Sequence, residues 1–130
     1  VPIVGSKTEL HATLVELASN AVRYTPAGGR IAVSLARDEG GVALTVSDTG
    51  MGIPPEELGK IFEEFFRATN ARAVDHSSTG VGLAMARHVV EGHGGTITAA
   101  SQLGKGTVFT VRLPGAAPQG PSQGFSPDRP

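Results

Sequence analysis

The chain has 130 residues, of which 11 are basic and 12 acidic, and it contains no cysteine. This length suits one domain. The near-neutral charge gives no electrostatic reason to expect nucleic acid or an acidic membrane surface as a partner. The lack of cysteine excludes disulfides and thiolate metal sites. No apolar run reaches the ~18 residues of a membrane span. Val1 to Val4 look like an edge strand that starts abruptly, so we expect a fragment of a longer protein.

A long helix is predicted near the start of the chain. Ser6 and Glu9 form a capping box, in which the Ser6 side chain accepts from a backbone amide and Glu9 reaches back to the Ser6 amide. Apolar residues then recur at helical spacing, which predicts a helix over residues 7–24. Pro26 ends it.

Four strands and a second long helix are predicted downstream. Alternating apolar residues predict strands at 31–35, 42–48, 96–100 and 107–113, with a hairpin turn at 38–41. A short helix is expected to start at Pro54, and a long helix is expected to run from Gly80 to about Glu91. Residues 68–78 lack apolar periodicity and are predicted to form a mobile loop.

This order of elements predicts an α+β fold, a two-layer sandwich of a mixed, mostly antiparallel sheet with helices on one face. We expect the domain to span residues 1–114. Residues 115–130 are rich in proline, glycine and serine, and we expect a disordered tail there.

The strand over 42–48 places a carboxylate in an apolar setting. Asp48 shares a face with Val42, Leu44 and Val46 and is followed by a glycine-rich turn. An unpaired buried charge costs several kcal/mol, so this carboxylate needs a hydrogen-bond donor. We expect Asp48 to be the acceptor at the floor of a ligand pocket.

The predicted first helix has a second, polar face. Glu16, Asn20 and Arg23 lie within a narrow arc at i, i+4 and i+7. The Asn20 carbonyl oxygen suits Mg²⁺, and the Arg23 guanidinium suits a phosphate. Considered alone, however, this arc is more typical of a solvated helix face, because surface pairs of this kind are common.

Other signals are weaker. Gly80 and Gly82 flank a helix start, which favours an anion, although close packing would explain them as well. Phe62, Phe65 and Phe66 are core residues by default. The four histidines lack metal-ligand spacing and are interpreted as surface or helix-end residues. No P-loop and no nucleophile elbow occurs.

The order of these motifs is more specific than any one of them. The chain contains Glu16-x₃-Asn20-x₂-Arg23-Tyr24, then Asp48-x-Gly-x-Gly, an aromatic cluster, a polar loop, Gly-x-Gly-Leu, and Gly-Thr on the last strand. This constellation resembles the ATP-binding catalytic domain of sensor histidine kinases, within the superfamily of gyrase, heat-shock chaperones and MutL proteins. The resemblance covers residues 1–114 and implies a Bergerat-type ATP-binding fold.

The resemblance implies roles for individual positions. Asn20 would bind Mg²⁺, Arg23 would contact phosphate, and Tyr24 would line the nucleotide. Asp48 would accept the exocyclic amine of adenine, with help from a water held by Thr107. Because guanine has a carbonyl in place of that amine, GTP should be rejected.

Further positions implied to lie at the nucleotide belong to the glycine turns, the aromatic box and the start of the second long helix: Gly50, Gly52, Ile53, Phe65, Phe66, Arg67, Gly80, Val81, Gly82 and Leu83. Residues 66–79 would form a lid over ATP. Ser78 stands where the lid's last motif often begins with glycine, which would stiffen the hinge.

Two alternatives to a kinase stay open. Glu16 stands where many histidine kinases have asparagine, whereas gyrase- and chaperone-like ATPases use a glutamate there as general base. The chain could therefore hydrolyse ATP with Glu16 as base. It could also be a nucleotide-binding module without catalysis, although Asn20, Asp48 and the glycines remain.

The resemblance also implies partners. The γ-phosphoryl group would pass to a histidine on a dimerisation and phosphoacceptor domain, because none of the chain's four histidines fits that role. A response regulator would act downstream. The domain itself would be monomeric, within a homodimeric, membrane-bound sensor whose catalytic part is cytoplasmic.

Overall fold

The computed structural model describes residues 5–38, 40–74 and 81–115. The helices are α1 (Lys7–Tyr24), α2 (Thr69–Val74) and α3 (Gly82–Gly92), with a short 3-10 helix at Leu58–Lys60. The strands are β1 (Ile31–Asp38), β2 (Gly41–Asp48), β3 (Thr96–Gln102) and β4 (Gly106–Pro114). The strand predicted at 1–4 and the tail predicted at 116–130 lie outside the described residues.

The four strands form one sheet in the order β1-β2-β4-β3. The predicted α+β fold is confirmed. Within the described part of the chain every strand pair is antiparallel, so the sheet is antiparallel there, whereas the prediction was a mixed, mostly antiparallel sheet. Helices α1 and α3 pack against each other, α1 also over β2 and α3 over β3. The core lies between these helices and the sheet, and its most buried side chains are Leu17, Val46, Val90 and Val111.

Helix α1 spans the residues that its sequence pattern predicted. The Ser6 hydroxyl accepts a hydrogen bond from the Glu9 amide at 3.2 Å, as expected for a cap. The Ser6 amide, however, donates to His93 Nε2 at 2.9 Å instead of to the Glu9 side chain. His93 Nδ1 lies 2.7 Å from the Val89 carbonyl oxygen, so this ring carries its proton on Nδ1 and joins α1 to the end of α3.

Strand β1 is an edge strand whose apolar side chains are not covered. Ile31, Val33 and Leu35 pair in register with β2 residues, yet Leu35 is 69% exposed. The alternating pattern correctly predicted a strand. Only the sheet order explains why its apolar face stays exposed, since α1 packs over the neighbouring β2.

Two local predictions between β2 and α3 were wrong. The helix expected at Pro54 is a hydrogen-bonded turn, in which the Glu57 amide donates to the Pro54 carbonyl, followed by the 3-10 helix. The loop expected from residue 68 contains α2 instead. Glu57 stabilises the start of α2, because its carboxylate accepts from the Thr69 amide at 2.9 Å and the Thr69 hydroxyl at 2.6 Å. Residues 75–80 lie outside the described residues.

No helix in the described part of the chain is long and apolar enough to cross a membrane.

Candidate functional site

A cleft of about 100 Å³, open to solvent, is bordered by α1, the turn after β2, the root of the predicted lid and the start of α3. Most of the residues singled out in the sequence meet there. Those that line it are Glu16, Asn20, Tyr24, Asp48, Gly52, Ile53, Phe66, Arg67, Gly82, Leu83 and Thr107. Residues from both ends of the chain thus converge on one cavity.

Four predicted positions do not line this cleft. Phe65 is 69% exposed and has a left-handed backbone with φ of +70°, which turns it away, so that Phe66 takes the cleft position. Arg23 is exposed at the rim of the cleft. Gly50 is buried in the turn that follows β2. Val81 lines a second groove, on the outer side of α3. Gly80, a further predicted position, lies outside the described residues.

The polar face of α1 forms a hydrogen-bonded ladder. Asn20 Nδ2 donates to Glu16 Oε2 at 3.3 Å, and Arg23 Nη1 donates to Asn20 Oδ1 at 3.1 Å. The Arg23 guanidinium also lies 5.6 Å from the centroid of the Tyr24 ring. This arrangement orients the Asn20 amide, with its nitrogen toward Glu16 and its carbonyl oxygen toward the charged rim.

Glu16, at the other end of that ladder from the exposed Arg23, is partly buried. Burial raises the pKa of its carboxyl above the ordinary value, although the charge of Arg23 and the hydrogen bond from Asn20 act in the opposite direction. The carboxylate packs against the first residue of α3, because a Cβ added to Gly82 would lie 2.2 Å from Glu16 Oε2. Gly82 therefore allows α3 to start directly beside this acid.

The other end of the cleft is built by paired strands. Asp48, at the end of β2, is partly buried and pairs in register with Thr107 of β4. One carboxylate oxygen of Asp48 accepts from the Gly50 amide at 2.8 Å. Thr107 is only 6% exposed and lines the cleft. A carboxylate and a hydroxyl thus lie on neighbouring strands and both line the cleft.

The turn after Asp48 needs glycine for two reasons. A Cβ at Gly50 would lie 2.4 Å from the backbone carbonyl oxygen of Tyr24, so the turn approaches the end of α1 more closely than a side chain permits. Gly52 has φ of +74°, in the left-handed region that favours glycine, and its added Cβ would lie 2.3 Å from the Gln102 carbonyl oxygen. Both glycines therefore shape the cleft wall.

Ser101 is a supporting residue that the sequence analysis missed. Its hydroxyl accepts from the Ile53 amide at 2.8 Å, donates to the Gly106 carbonyl at 3.0 Å, and lies 2.9 Å from Thr107 Oγ1. It thereby fastens the glycine turn to β3 and β4 behind Thr107. A serine within a strand carries no signal of this role, since its partner Ile53 is 48 positions away.

The root of the predicted lid was also missed in part. Arg67 Nη2 donates to the Ala71 carbonyl at 3.2 Å and lies 3.4 Å from the Tyr24 hydroxyl, which ties α2 to α1. Asn70 lines the cleft and donates to the Gly52 carbonyl at 3.0 Å. No sequence pattern predicted Asn70, because it lay in a stretch without periodicity.

The donor set suits a metal ion that arrives with its ligand. Within the described residues, no group of three or more His, Cys, Asp or Glu side chains is placed to hold a metal. The Asn20 carbonyl oxygen, oriented by the ladder, is a hard ligand of the kind that Mg²⁺ takes together with phosphate oxygens. The residues present therefore fit magnesium bound as a phosphate complex.

Comparison with known proteins agrees with this geometry. The sequence profile of the family described as "Histidine kinase-, DNA gyrase B-, and HSP90-like ATPase" matches residues 5–117. Sensor histidine kinase RppB of Synechocystis is 41% identical over 110 residues, 85% of this chain and 24% of RppB. Sensor-like histidine kinase SenX3 of Mycobacterium tuberculosis is 39% identical over 86% of this chain and 27% of SenX3. The chain thus spans about a quarter of the length of these relatives.

Solved structures share the fold. The mycobacterial sensor histidine kinase MprB superposes with a TM-score of 0.79 at 34% identity, over 87% of this chain and 76% of that one. The catalytic domain of histidine kinase ThkA gives 0.73 at 28% identity, over 86% and 71%. Full-length ShkA in complex with AMPPNP gives 0.71 at 30% identity, over 90% and 24%. The chain belongs to the histidine kinase, gyrase B and Hsp90-like ATPase family, as an ATP-binding catalytic domain of the sensor histidine kinase type.

Proposed function

We propose that this domain binds Mg²⁺-ATP in the cleft and transfers the γ-phosphoryl group to a histidine on a separate dimerisation and phosphoacceptor domain of the same protein. The observation that carries the proposal is the arrangement of polar side chains around one cavity. An acid–hydroxyl pair lies at its floor, and an ordered acid–amide–guanidinium ladder lies at its rim beside a helix start.

The floor of the cleft recognises the base. Asp48 accepts the exocyclic amine of adenine, and Thr107 beside it holds a water or contacts the ring. Gly50 donates its amide to the carboxylate and so keeps it in place before ATP arrives. Ile53 and Leu83 line the same cavity and supply apolar contact to the ring.

The rim of the cleft handles the phosphates. Asn20 binds magnesium through its carbonyl oxygen, and Arg23 donates to phosphate oxygens. When bound there, magnesium would supply positive charge that neutralises the phosphates during transfer. The amides at the start of α3, at Gly82 and Leu83, favour an anion at the same place. Catalysis here rests on positioning and charge neutralisation.

The positions of the histidines support an acceptor on another domain. His11 and His88 are exposed on α1 and α3, and His93 holds the Ser6 amide. None of these three lines the cleft. His76 lies outside the described residues.

The wider assembly follows from this assignment. The catalytic domain spans residues 1–114 and is monomeric, and residues 66–79 act as the lid over ATP. The complete kinase is a homodimer and a membrane-bound sensor with this domain in the cytoplasm. It passes its phosphoryl group to a response regulator.

The test is reconstitution with γ-labelled ATP. The chain alone should bind Mg²⁺-ATP with little turnover, and adding the phosphoacceptor domain should produce an acid-labile phosphohistidine on that domain. Asn20→Ala should abolish transfer, whereas Ser19→Ala, the matched control next to it, should retain it. An acid-stable product on serine, or full transfer by Asn20→Ala, would contradict the proposal.

Glu16 supports one second candidate, an ATPase of the gyrase or chaperone type. Its carboxylate lines the cleft and its pKa is raised by burial, which suits a general base. The test is steady ATP hydrolysis by the chain alone. Loss of this activity in Glu16→Gln, but not in Glu9→Gln on the exposed side of α1, would favour the ATPase assignment. An equal rate in Glu16→Gln would remove it.

A further inference from the structure

Asn70 has one hydrogen-bonding atom whose use the fold does not explain. It lies in the first turn of α2 and lines the cleft. Its Nδ2 donates to the Gly52 carbonyl at 3.0 Å. Since a carbonyl oxygen can only accept, this bond fixes the amide with its nitrogen toward Gly52 and its Oδ1 on the opposite side.

The Oδ1 atom of Asn70 is buried and has no donor among the residues that the structure describes. A buried acceptor without a partner costs about 1–3 kcal/mol, and folded proteins rarely leave one. The side chain that carries this atom lines the cleft. The donor that the protein lacks is therefore expected to arrive with the nucleotide.

Few groups on ATP can serve as that donor. The phosphate oxygens and ring nitrogens of ATP only accept, which leaves the exocyclic amine and the two ribose hydroxyls. The proposed function assigns the amine to Asp48, at the end of β2. We propose that Asn70 is a specificity-determining residue that accepts a hydrogen bond from a ribose hydroxyl of bound ATP, so that the site selects ribonucleotides over deoxyribonucleotides.

This inference rests on the proposed function and adds a consequence for the lid. Because Asn70 bonds Gly52 with one atom and the sugar with the other, the nucleotide is joined to the root of the lid as well as to the sheet. Arg67 fastens the same root to α1 through Tyr24 and to the Ala71 carbonyl. Sugar recognition and the position of the start of α2 are thus coupled through one side chain.

Calorimetry of the whole chain with Mg²⁺-ATP, 2′-deoxy-ATP and 3′-deoxy-ATP tests the proposal. The wild-type chain should bind ATP about five- to fifty-fold more tightly than one of the deoxy analogues. In Asn70→Ala, ATP affinity should fall to that of this analogue, and the preference should disappear. Thermal unfolding should show that the variant is folded, and the comparison within the wild-type chain needs no variant at all.

Thr69→Val is the matched control. It removes the Thr69 hydroxyl bond to Glu57 at the same lid root but leaves the Asn70 acceptor in place, so it should keep the preference for ATP. Equal wild-type affinity for ATP and both deoxy analogues would overturn the inference. So would a preference that survives in Asn70→Ala or vanishes in Thr69→Val. Failure of the wild-type chain to bind ATP at all would instead refute the proposed function.

Discussion

Replacing Asp48 with asparagine separates nucleotide recognition from folding. The Asp48 oxygen that accepts from the Gly50 amide at 2.8 Å can be replaced by the asparagine carbonyl, so that bond survives. The new amide nitrogen then takes the place of the second oxygen and faces the cleft. It can only donate, and it meets the exocyclic amine of adenine, which also donates.

The size of the effect follows from these two changes. A hydrogen bond to a charged acceptor, about 1.5–3 kcal/mol, is lost, and two donors are left facing each other at a further cost of about 1–3 kcal/mol. The sum corresponds to about two to four orders of magnitude in Kd for ATP. The free energy of unfolding should fall by only about 1 kcal/mol, because Asp48 is partly buried and keeps its bond to the turn.

Calorimetry with ATP and ITP provides the assay. ITP has a carbonyl in place of the amine, so Asp48→Asn should lose ATP affinity and narrow the preference for ATP over ITP. Glu91→Gln, which removes a carboxylate from the exposed end of α3, should change neither. Near-normal ATP affinity in Asp48→Asn would refute the adenine assignment, and so would a loss that leaves the ATP-to-ITP ratio unchanged.

Three further substitutions test the framework of the site by chemical denaturation and ATP titration. Gly50→Ala should cost about 1–3 kcal/mol of stability, since its Cβ would meet the Tyr24 carbonyl oxygen at 2.4 Å; unchanged stability would contradict this packing. Ser101→Ala should cost about 1–3 kcal/mol and weaken ATP binding, because the Ile53 amide loses its acceptor; full affinity would mean that the turn holds without it. Leu17→Ala should cost about 2–5 kcal/mol, because the side chain is fully buried, and a loss below 1 kcal/mol would place it outside the core.

The parts of the site that lie on one element were predictable from the sequence. Glu16, Asn20 and Arg23 follow from helical spacing, and the structure joins them by hydrogen bonds along one helix face. Asp48 follows from strand alternation and ends on the cleft side of β2. The α1 boundaries were also local, because a capping residue and an apolar stripe determine them.

The errors arose where a distant residue decides the local structure. The start of α2 depends on the Glu57 carboxylate, which accepts two hydrogen bonds from Thr69, 12 positions away. A propensity argument sees only the polar stretch and predicts a loop. Phe65 and Phe66 are adjacent, and only the left-handed backbone at Phe65 decides which ring enters the cleft.

The sequence by itself determined the type of fold, the polar face of α1 and the inward acid at the end of β2, because each depends on a periodicity or a cap within one element. Tertiary structure alone decided the supporting contacts. Ser101 reaches Ile53 across 48 positions, and His93 reaches Ser6 across 87. Hydrogen bonds between such distant groups depend on how the layers pack, and no local pattern carries that information. The unpaired acceptor of Asn70 is likewise a property of the assembled cleft.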